Sequence, residues 1–424
     1  MKMAAPILLA AYGGGHVAMI LPLARELMRR GYEVRVLALT SAIAVLKDAG
    51  IETITYGEFP EAQDPEALHY GKTMTEGMSL SESIPLSETI AYMGVNYKEL
   101  VDELGEEQAA ISYRQRGRWA FLPFRTMEHL LRRLKPSVVV ATNSPRTEKA
   151  LIISARKLGI PAVCVIDLWE DDVIRQWIGK PGYADLICVL DETVRTTLLE
   201  CGRHDDEVLV SGNPAFDILR QEDVIAHGKN MRIDLGWNDG LKTILYAPNE
   251  EPAVNPITGK PGDPSLPARN EKALRDFIAS DDRFRLVIRY HPSQNIEFVP
   301  QCRVVHSPIS MPLAPLLHAV DVVVVTASTV GLEAYVAGKP VVSLDNSSLT
   351  EYMPYSKKGI SIGVSDLTKL RETIVSVVFP EEVEGSFSTA PLTPQPAATP
   401  KIVDGIIKLM QQRYGDSRGV VGHG

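Results

Sequence analysis

The sequence predicts two doubly wound α/β domains of parallel sheet, followed by one last helix. Three observations predict this. The chain has 424 residues, which suits two domains at about 150 residues each. Its apolar runs are rich in valine, isoleucine and leucine without polar alternation, the pattern of strands covered on both faces. Helical patterns separate these runs, and the whole series closes at "EVLVSGNP" and restarts at "KTILYAPNE".

In the first half, "APILLAAY" leads to a helix at 17–30. "YEVRVLALT", a helix at 41–49 and a short strand at "IETITY" come next. Residues 57–115 are polar and partly helical, with no readable order. A helix at 119–134 precedes "PSVVVATN", a helix at 146–158 precedes "PAVCVIDL", and "ADLICVLD" precedes a helix at 192–201. In the second half, "KTILYAPNE" runs into a loop dense in proline and glycine. A helix at 270–279, "FRLVIRYHPS", "CRVVHS", a helix at 312–319, "DVVVVTAS", a helix at 329–337 and "KPVVSLD" complete it. The boundary falls near Gly212–Ile218, giving domains at 1–212 and 213–387. Residues 388–424 hold a proline-rich connector, the helix "PKIVDGIIKLMQQRY" and a tail.

Composition bounds the function. Apolar residues make up 45% and charged residues 23% of the chain, ordinary for a globular protein. The net charge of −9 argues against nucleic-acid binding by bulk charge, and no recognition module is present. Cys164, Cys188, Cys201 and Cys302 lack metal-site spacing and fit a reducing cytoplasm. The opening apolar run feeds a glycine turn and reads as a first strand rather than a signal peptide. No stretch reaches the ~20 apolar residues of a membrane span.

The first chemistry-bearing stretch is "AYGGGHVAMILPLARELMRRGYEVRVLALT". A dinucleotide fingerprint needs a third spaced glycine and a carboxylate at the end of strand two. Gly13, Gly14 and Gly15 are contiguous, and strand two ends at "LALT" without an acid. What remains is a flexible turn whose amides can face an anion at a helix N-terminus. His16 follows at once and is a candidate general base. The plainer reading is that the glycines only let strand and helix pack closely, with His16 capping the turn.

The second stretch, "RYHPSQN", leaves the end of an apolar strand, where ligands of open α/β sheets lie. Arg289, His291, Pro292 and Ser293 are its candidates for phosphate or base contacts. The third is "DVVVVTASTVGLEAYVAGKPVV". Thr326, Ser328 and Thr329 close a strand and open a helix, a cradle for an anion. Glu333 lies one turn further on the same face, where a carboxylate can accept from both ribose hydroxyls. Each of these residues alone also fits a helix cap or a first-turn acid.

These stretches carry a resemblance. "GGGHVAMILPLARELMRRGYEV" resembles the N-terminal turn of GT-B glycosyltransferases, such as those adding N-acetylglucosamine to lipid-linked muramyl peptide. "VLVSGNPAFDIL" is similar to the interdomain stretch of those enzymes and of UDP-N-acetylglucosamine 2-epimerases, which marks Gly212 and Asn213. "RYHPS", "TASTVGLEA" and "TILYAPNEEP" resemble bacterial sialyl-, Kdo- and CDP-glycerol-type transferases. The resemblance implies a GT-B fold, with two Rossmann-like domains facing a central cleft and a C-terminal helix crossing back to the first. It implies a metal-independent, inverting transfer of sugar from a nucleotide donor, UDP first, to a glycan or lipid-linked acceptor. The nucleotide sugar is a substrate, so no cofactor is expected. Arg289, His291, Pro292, Ser293, Thr326, Ser328, Thr329 and Glu333 would hold the donor, and Gly13, Gly14, Gly15 and His16 would face the acceptor or the transferring sugar. Alternatives are a nucleotide-sugar 2-epimerase or hydrolase, a transferase with a CMP- or CDP-linked donor, and a silent nucleotide-sugar-binding partner. The epimerases' arginine after the first strand is replaced here by glycines.

Two stretches remain. "WEDD" supplies Asp171 and Asp172, which are either further general-base candidates or solvated loop charge. In "YRQRGRWAFLPFRTMEHLLRRLKP", Arg114, Arg116, Arg118, Arg125, Arg132, Arg133 and Lys135 interleave with Trp119, Phe121 and Phe124. This 113–135 segment is either a peripheral contact at the inner membrane face or a crossover helix with solvated arginines.

Overall fold

The computed structural model describes residues 5–78, 84–169, 171–255, 259–291, 294, 296–382 and 397–415. The chain divides into two units: Met1–Ala215 with Pro396–Gly424, and Phe216–Gln395.

In the first unit, β1 (Ile7–Ala11), α1 (Gly15–Arg29), β2 (Val34–Ala38), α2 (Ala42–Asp48) and β3 (Thr53–Ile54) come first. A helical excursion follows, made of α3 (Pro65–Thr75), α4 (Leu86–Leu104), α5 (Glu106–Arg116) and α6 (Phe124–Leu134). The unit continues through β4 (Val138–Thr142), α7 (Thr147–Lys157), β5 (Ala162–Val165), α8 (Asp171–Val173), β6 (Leu186–Val189), α9 (Glu192–Glu200) and β7 (Val208–Val210). Among the described residues the strands pair in the order β3-β2-β1-β4-β5-β6-β7, all parallel. Leu9 of β1 sits between Val36 and Val140, and all three are fully buried. The apolar runs without alternation thus lie under helices on both faces.

The excursion orders the part of the sequence that had no readable pattern. Asp64 caps α3 by accepting from the N–H groups of Glu66 and Ala67. Helices α3 and α4 meet through two glycines, because a Cβ on Gly94 would lie 2.0 Å from the Ala67 carbonyl oxygen and one on Gly71 2.2 Å from that of Ile90. The helix expected at 119–134 is broken: Gly117–Ala120 is a separate 3-10 turn and α6 starts at Phe124. Pro123 explains the break, since it lacks an N–H and disfavours helical backbone at Leu122.

The second unit runs through α10 (Glu222–Asp234), β8 (Lys242–Ala247), α11 (Leu266–Ser280), β9 (Phe284–Ile288), β10 (Val304–His306), α12 (Leu313–Ala319) and β11 (Val322–Val325). It closes with α13 (Val330–Val336), β12 (Val341–Leu344), β13 (Ile362–Val364) and α14 (Leu370–Val378). Its sheet, also parallel, has the order β10-β9-β8-β11-β12-β13. Three of these elements are unmarked in the sequence. β13 is three residues long, and its Gly363 packs where a Cβ would meet Asp345 and Ser356. α10 is weakly amphipathic and is held through Gly228, whose Cβ would lie 2.4 Å from that of His318. α14 buries Leu370, Ile374 and Ser376 after a short 3-10 turn.

The last helix, α15 (Ala398–Tyr414), belongs to the first unit. Its Ile402, Val403 and Ile406 are fully buried in one cluster with Leu9, Ile20 and Leu23, and Arg30 pairs with Asp404 at 2.5 Å. Each unit is thus a doubly wound parallel α/β fold, as the resemblance implies for each of its two domains.

The α3–α4 contact generates a prediction. Gly94→Ala should destabilise the first unit by about 1–3 kcal/mol through overpacking, read as a lower urea midpoint. An unchanged midpoint would mean that the two helices do not pack this closely.

Candidate functional site

In an open parallel sheet, ligands collect beyond the strand C-termini, where the strand order reverses. That point lies between β1 and β4 in the first unit and between β8 and β11 in the second. Each unit has a polar constellation there.

In the first unit, the loop after β1 carries the glycine turn. Gly14 has φ +67° and ψ −134° and caps α1, a conformation that an L side chain resists. A Cβ on Gly13 would lie 1.8 Å from Ser41 Oγ, so this glycine lets the turn sit against the end of β2. Gly15 opens α1 in open space. His16 is half-buried in the first turn of α1, and its Nδ1 is buried without a hydrogen-bond partner among the described residues.

The loop after β4, "NSPRTE", supplies residues that motif reading missed. Glu148 is fully buried, and its Oε1 accepts the Tyr12 backbone N–H at 2.9 Å. Burial pushes its carboxyl above the ordinary carboxylate range, while the charge of His16, a hydrogen bond from its own backbone and the charge of Arg146 pull it back. The Arg146 guanidinium lies 3.9 Å over the Tyr12 ring. Asn143 donates to Asp167 Oδ1 at 2.9 Å, joining the ends of β4 and β5. The signal was a run of polar residues directly behind a fully apolar strand.

Asp171 and Asp172 stand exposed at the start of α8. Asp171 accepts from Thr197 of α9 at 3.4 Å, and the charge of His16 is felt at Glu148. Asn213 donates to the Asp167 carbonyl at 3.2 Å and accepts the Ala215 N–H at 2.9 Å. Gly212 has φ +85°, a conformation that an L side chain resists, and lies beside Ala398 of α15.

In the second unit, the loop after β8 brings Asn249, which donates to the Ala327 carbonyl at 3.0 Å and ties the two sides of the switch point. Ala327 itself has φ +45°. Thr326 is buried beneath and accepts from Asn270 at 3.4 Å. The Ser328 carbonyl accepts from Tyr355 Oη at 2.8 Å, and its hydroxyl accepts the Val330 N–H at 3.4 Å. Thr329 caps α13, and its carbonyl takes the Glu333 N–H at 3.1 Å.

Glu333 lies one turn in. Burial pushes its carboxyl up to about 7, while the positive charge of Arg289 and a hydrogen bond from Thr329 pull it down. Burial conversely lowers the pKa of Arg289. The Arg289 guanidinium donates to Ser307 Oγ at 3.0 Å and to the carbonyls of Pro308 at 3.2 Å and Met311 at 2.8 Å. Arg289 therefore pins the loop after β10 and offers its charge to Glu333. His291 is exposed at the end of β9, its backbone N–H bonded to Gln294 Oε1 at 2.9 Å. Pro292 and Ser293 lie outside the described residues. Among the described residues no group of three or more histidines, cysteines and acids is placed to hold a metal ion, and no helix is long and apolar enough to cross a membrane.

The basic stretch is dispersed. Arg125 pairs with Asp102, Arg132 lies 3.7 Å from Glu128, Phe121 is buried and Trp119 is exposed.

No family model and no curated protein matches the chain. Solved structures do. The chain is similar to Staphylococcus aureus MnaA in its co-structure with UDP, at 15% identity and TM-score 0.61, covering 96% of this chain and 98% of that one. It is similar to the UDP-GlcNAc 2-epimerase of Neisseria meningitidis bound to UDP-GlcNAc, at 16% identity and TM-score 0.59, covering 95% and 100%. It is also similar to Acinetobacter baumannii MurG, at 16% identity and TM-score 0.52, covering 95% and 99%. At these identities the likeness is one of fold.

The elevated Glu333 carboxyl predicts a pH dependence. Below 4.5 the group is protonated folded or unfolded; between 4.5 and about 7 the folded chain alone keeps the proton. Its contribution to stability is therefore fully present below 4.5 and lost as pH rises through about 7. Urea midpoints of Glu333→Gln should rise relative to wild type across that window. A pH-independent difference would show that Glu333 ionises like an exposed acid.

Proposed function

We propose that this chain is a glycosyltransferase that moves a sugar from a UDP-linked donor to an acceptor hydroxyl, with inversion and without a metal. The observation that carries the reading is Glu333, a buried carboxyl poised near neutrality behind the Thr326–Thr329 cradle and facing the charge of Arg289. The ionised carboxylate can accept from both ribose hydroxyls. The cradle supplies hydroxyls and backbone N–H groups for the diphosphate. The UDP and UDP-GlcNAc in the structures of similar fold support the choice of nucleotide.

His16 is the proposed general base. Glu148 lies fully buried within electrostatic reach of it, and the charge of His16 favours the ionised carboxylate. In the step, His16 takes the acceptor proton as the acceptor oxygen forms its bond to the anomeric carbon. The bond from that carbon to the diphosphate breaks, and UDP leaves with the electron pair. Glu148 stabilises the imidazolium that results. Asp171 and Asp172 stand as loop carboxylates in this scheme.

A 2-epimerase is the second reading, favoured by the likeness to epimerases that runs over nearly the whole chain. The two separate by acceptor dependence. A transferase releases UDP only when an acceptor is added, whereas an epimerase converts UDP-GlcNAc to its 2-epimer alone, visible by proton NMR.

Calorimetry with UDP, CDP, CMP, GDP and TDP should show UDP binding best. Glu333→Ala should weaken it about tenfold or more. His16→Ala should keep UDP binding and lower acceptor-dependent turnover by about 10²–10⁴-fold. EDTA should change neither. Absence of nucleotide binding better than millimolar would sink the donor assignment.

A further inference from the structure

The first unit contains a cavity of about 220 Å³ that the reaction scheme does not use. Ala38, Leu39 and Thr40 at the end of β2 form its floor, with Ile43 of α2 and Thr89 and Tyr92 of α4 around it. It adjoins the glycine turn by two routes. Thr40 and Ser41 are the residues that a Cβ on Gly13 would strike. Tyr92 Oη accepts from Tyr12 Oη at 3.1 Å, and Tyr12 immediately precedes that turn.

Its walls select for chemistry. Leu39, Ile43, Tyr56 and Tyr92 present apolar and aromatic surface. The Tyr56 hydroxyl is paired with Thr147 Oγ1 at 3.0 Å, and Tyr92 Oη accepts from Tyr12. Glu88 also lines the space, but its oxygens accept from Thr55 Oγ1 at 2.8 Å and the Gly57 N–H at 3.1 Å. The aliphatic and aromatic faces of Leu39, Ile43, Tyr56 and Tyr92 favour an apolar ring over the many hydroxyls of a sugar, each of which needs a partner. The lining also holds one cation. Arg118, half-buried on the 3-10 turn before α6, reaches the cavity and makes no ion pair among the described residues. A cavity of about 150 Å³ takes a single benzene ring, so this one has room for two fused rings.

We infer that this cavity binds the acceptor, and that the acceptor is a small apolar ring compound with an anionic group held by Arg118, rather than a glycan. The inference rests on the transferase reading for the word acceptor; the cavity and its ligand class are tested separately. Arg118 takes the anion by charge-assisted hydrogen bonds. Tyr56 and Tyr92 take the rings, and the hydroxyl to be glycosylated points to the turn that carries His16.

The test is fluorescence titration of the full chain with 6-hydroxy-2-naphthoate, and with 2-naphthol as the neutral comparator. Wild type should bind both, the naphthoate more tightly. Arg118→Gln should weaken naphthoate about tenfold and leave 2-naphthol unchanged. Thr89→Trp, which fills the cavity, should abolish both, with its melting temperature showing that it is folded. Equal naphthoate binding in wild type and Arg118→Gln overturns the anionic class, and binding that survives Thr89→Trp overturns the cavity. UDP is titrated into the same preparations. If UDP binds and neither naphthalene does, the inference fails and the donor assignment stands. If the naphthalenes behave as expected and UDP does not bind, the ligand class stands and the transferase reading fails.

Discussion

Both units depend on one constraint: a parallel strand cannot rejoin its neighbour without a crossover that passes over a face of the sheet. The chain meets it with helices on both sides, which buries residues such as Leu9, Val140, Val324 and Val342 completely. Because all strands point the same way, every strand-to-helix loop emerges at one edge. Where the strand order reverses, two such loops part and leave a crevice. The glycine turn and the "NSPRTE" loop lie there in the first unit, and Asn249 with the Thr326–Thr329 cradle in the second.

The crevices are also where the protein buries charge. Glu148 and Glu333 both sit one turn or less into a helix behind a central strand, and burial raises both carboxyls. Positive charge offsets each: Arg146, two residues before Glu148, and His16, from the first turn of α1, favour the Glu148 carboxylate, and Arg289 favours that of Glu333. Isolated buried carboxylates are costly, so such pairs persist where neighbouring groups compensate. The switch point of the first unit is further braced by its excursion. Tyr56 reaches Thr147 beside Glu148, and Tyr92 reaches Tyr12. The helices inserted after β3 therefore shape the surroundings of the glycine turn.

Much of this was legible in the sequence. The central strands of the first sheet were visible as short runs rich in valine, isoleucine and leucine, such as "ILLAA" and "VVVA". "DVVVVTAST" and "YGGGH" announced strand-to-helix turns by their composition. Other parts were silent for physical reasons. Gly94 and Gly71 read as weak points in a helix until Ala67 and Ile90 are seen opposite them. β13 is too short for periodicity, and its stability comes from pairing with β12. Arg289 reads as a phosphate ligand in the sequence, and only the structure shows that its Nη1 donates to the loop after β10.

The sequence by itself determined the alternation of buried strands and amphipathic helices, and therefore the fold class and the turns that carry polar groups. Local pattern suffices there, because burial on both faces imposes a composition that can be read residue by residue. Tertiary structure alone decided which polar residues act on one another. The charge of His16 is felt at Glu148 across 132 positions of chain, and that of Arg289 at Glu333 across 44, counted from their numbering. Such pairs are set by which strands lie side by side. That order follows from the packing of the whole sheet, and no local stretch encodes it.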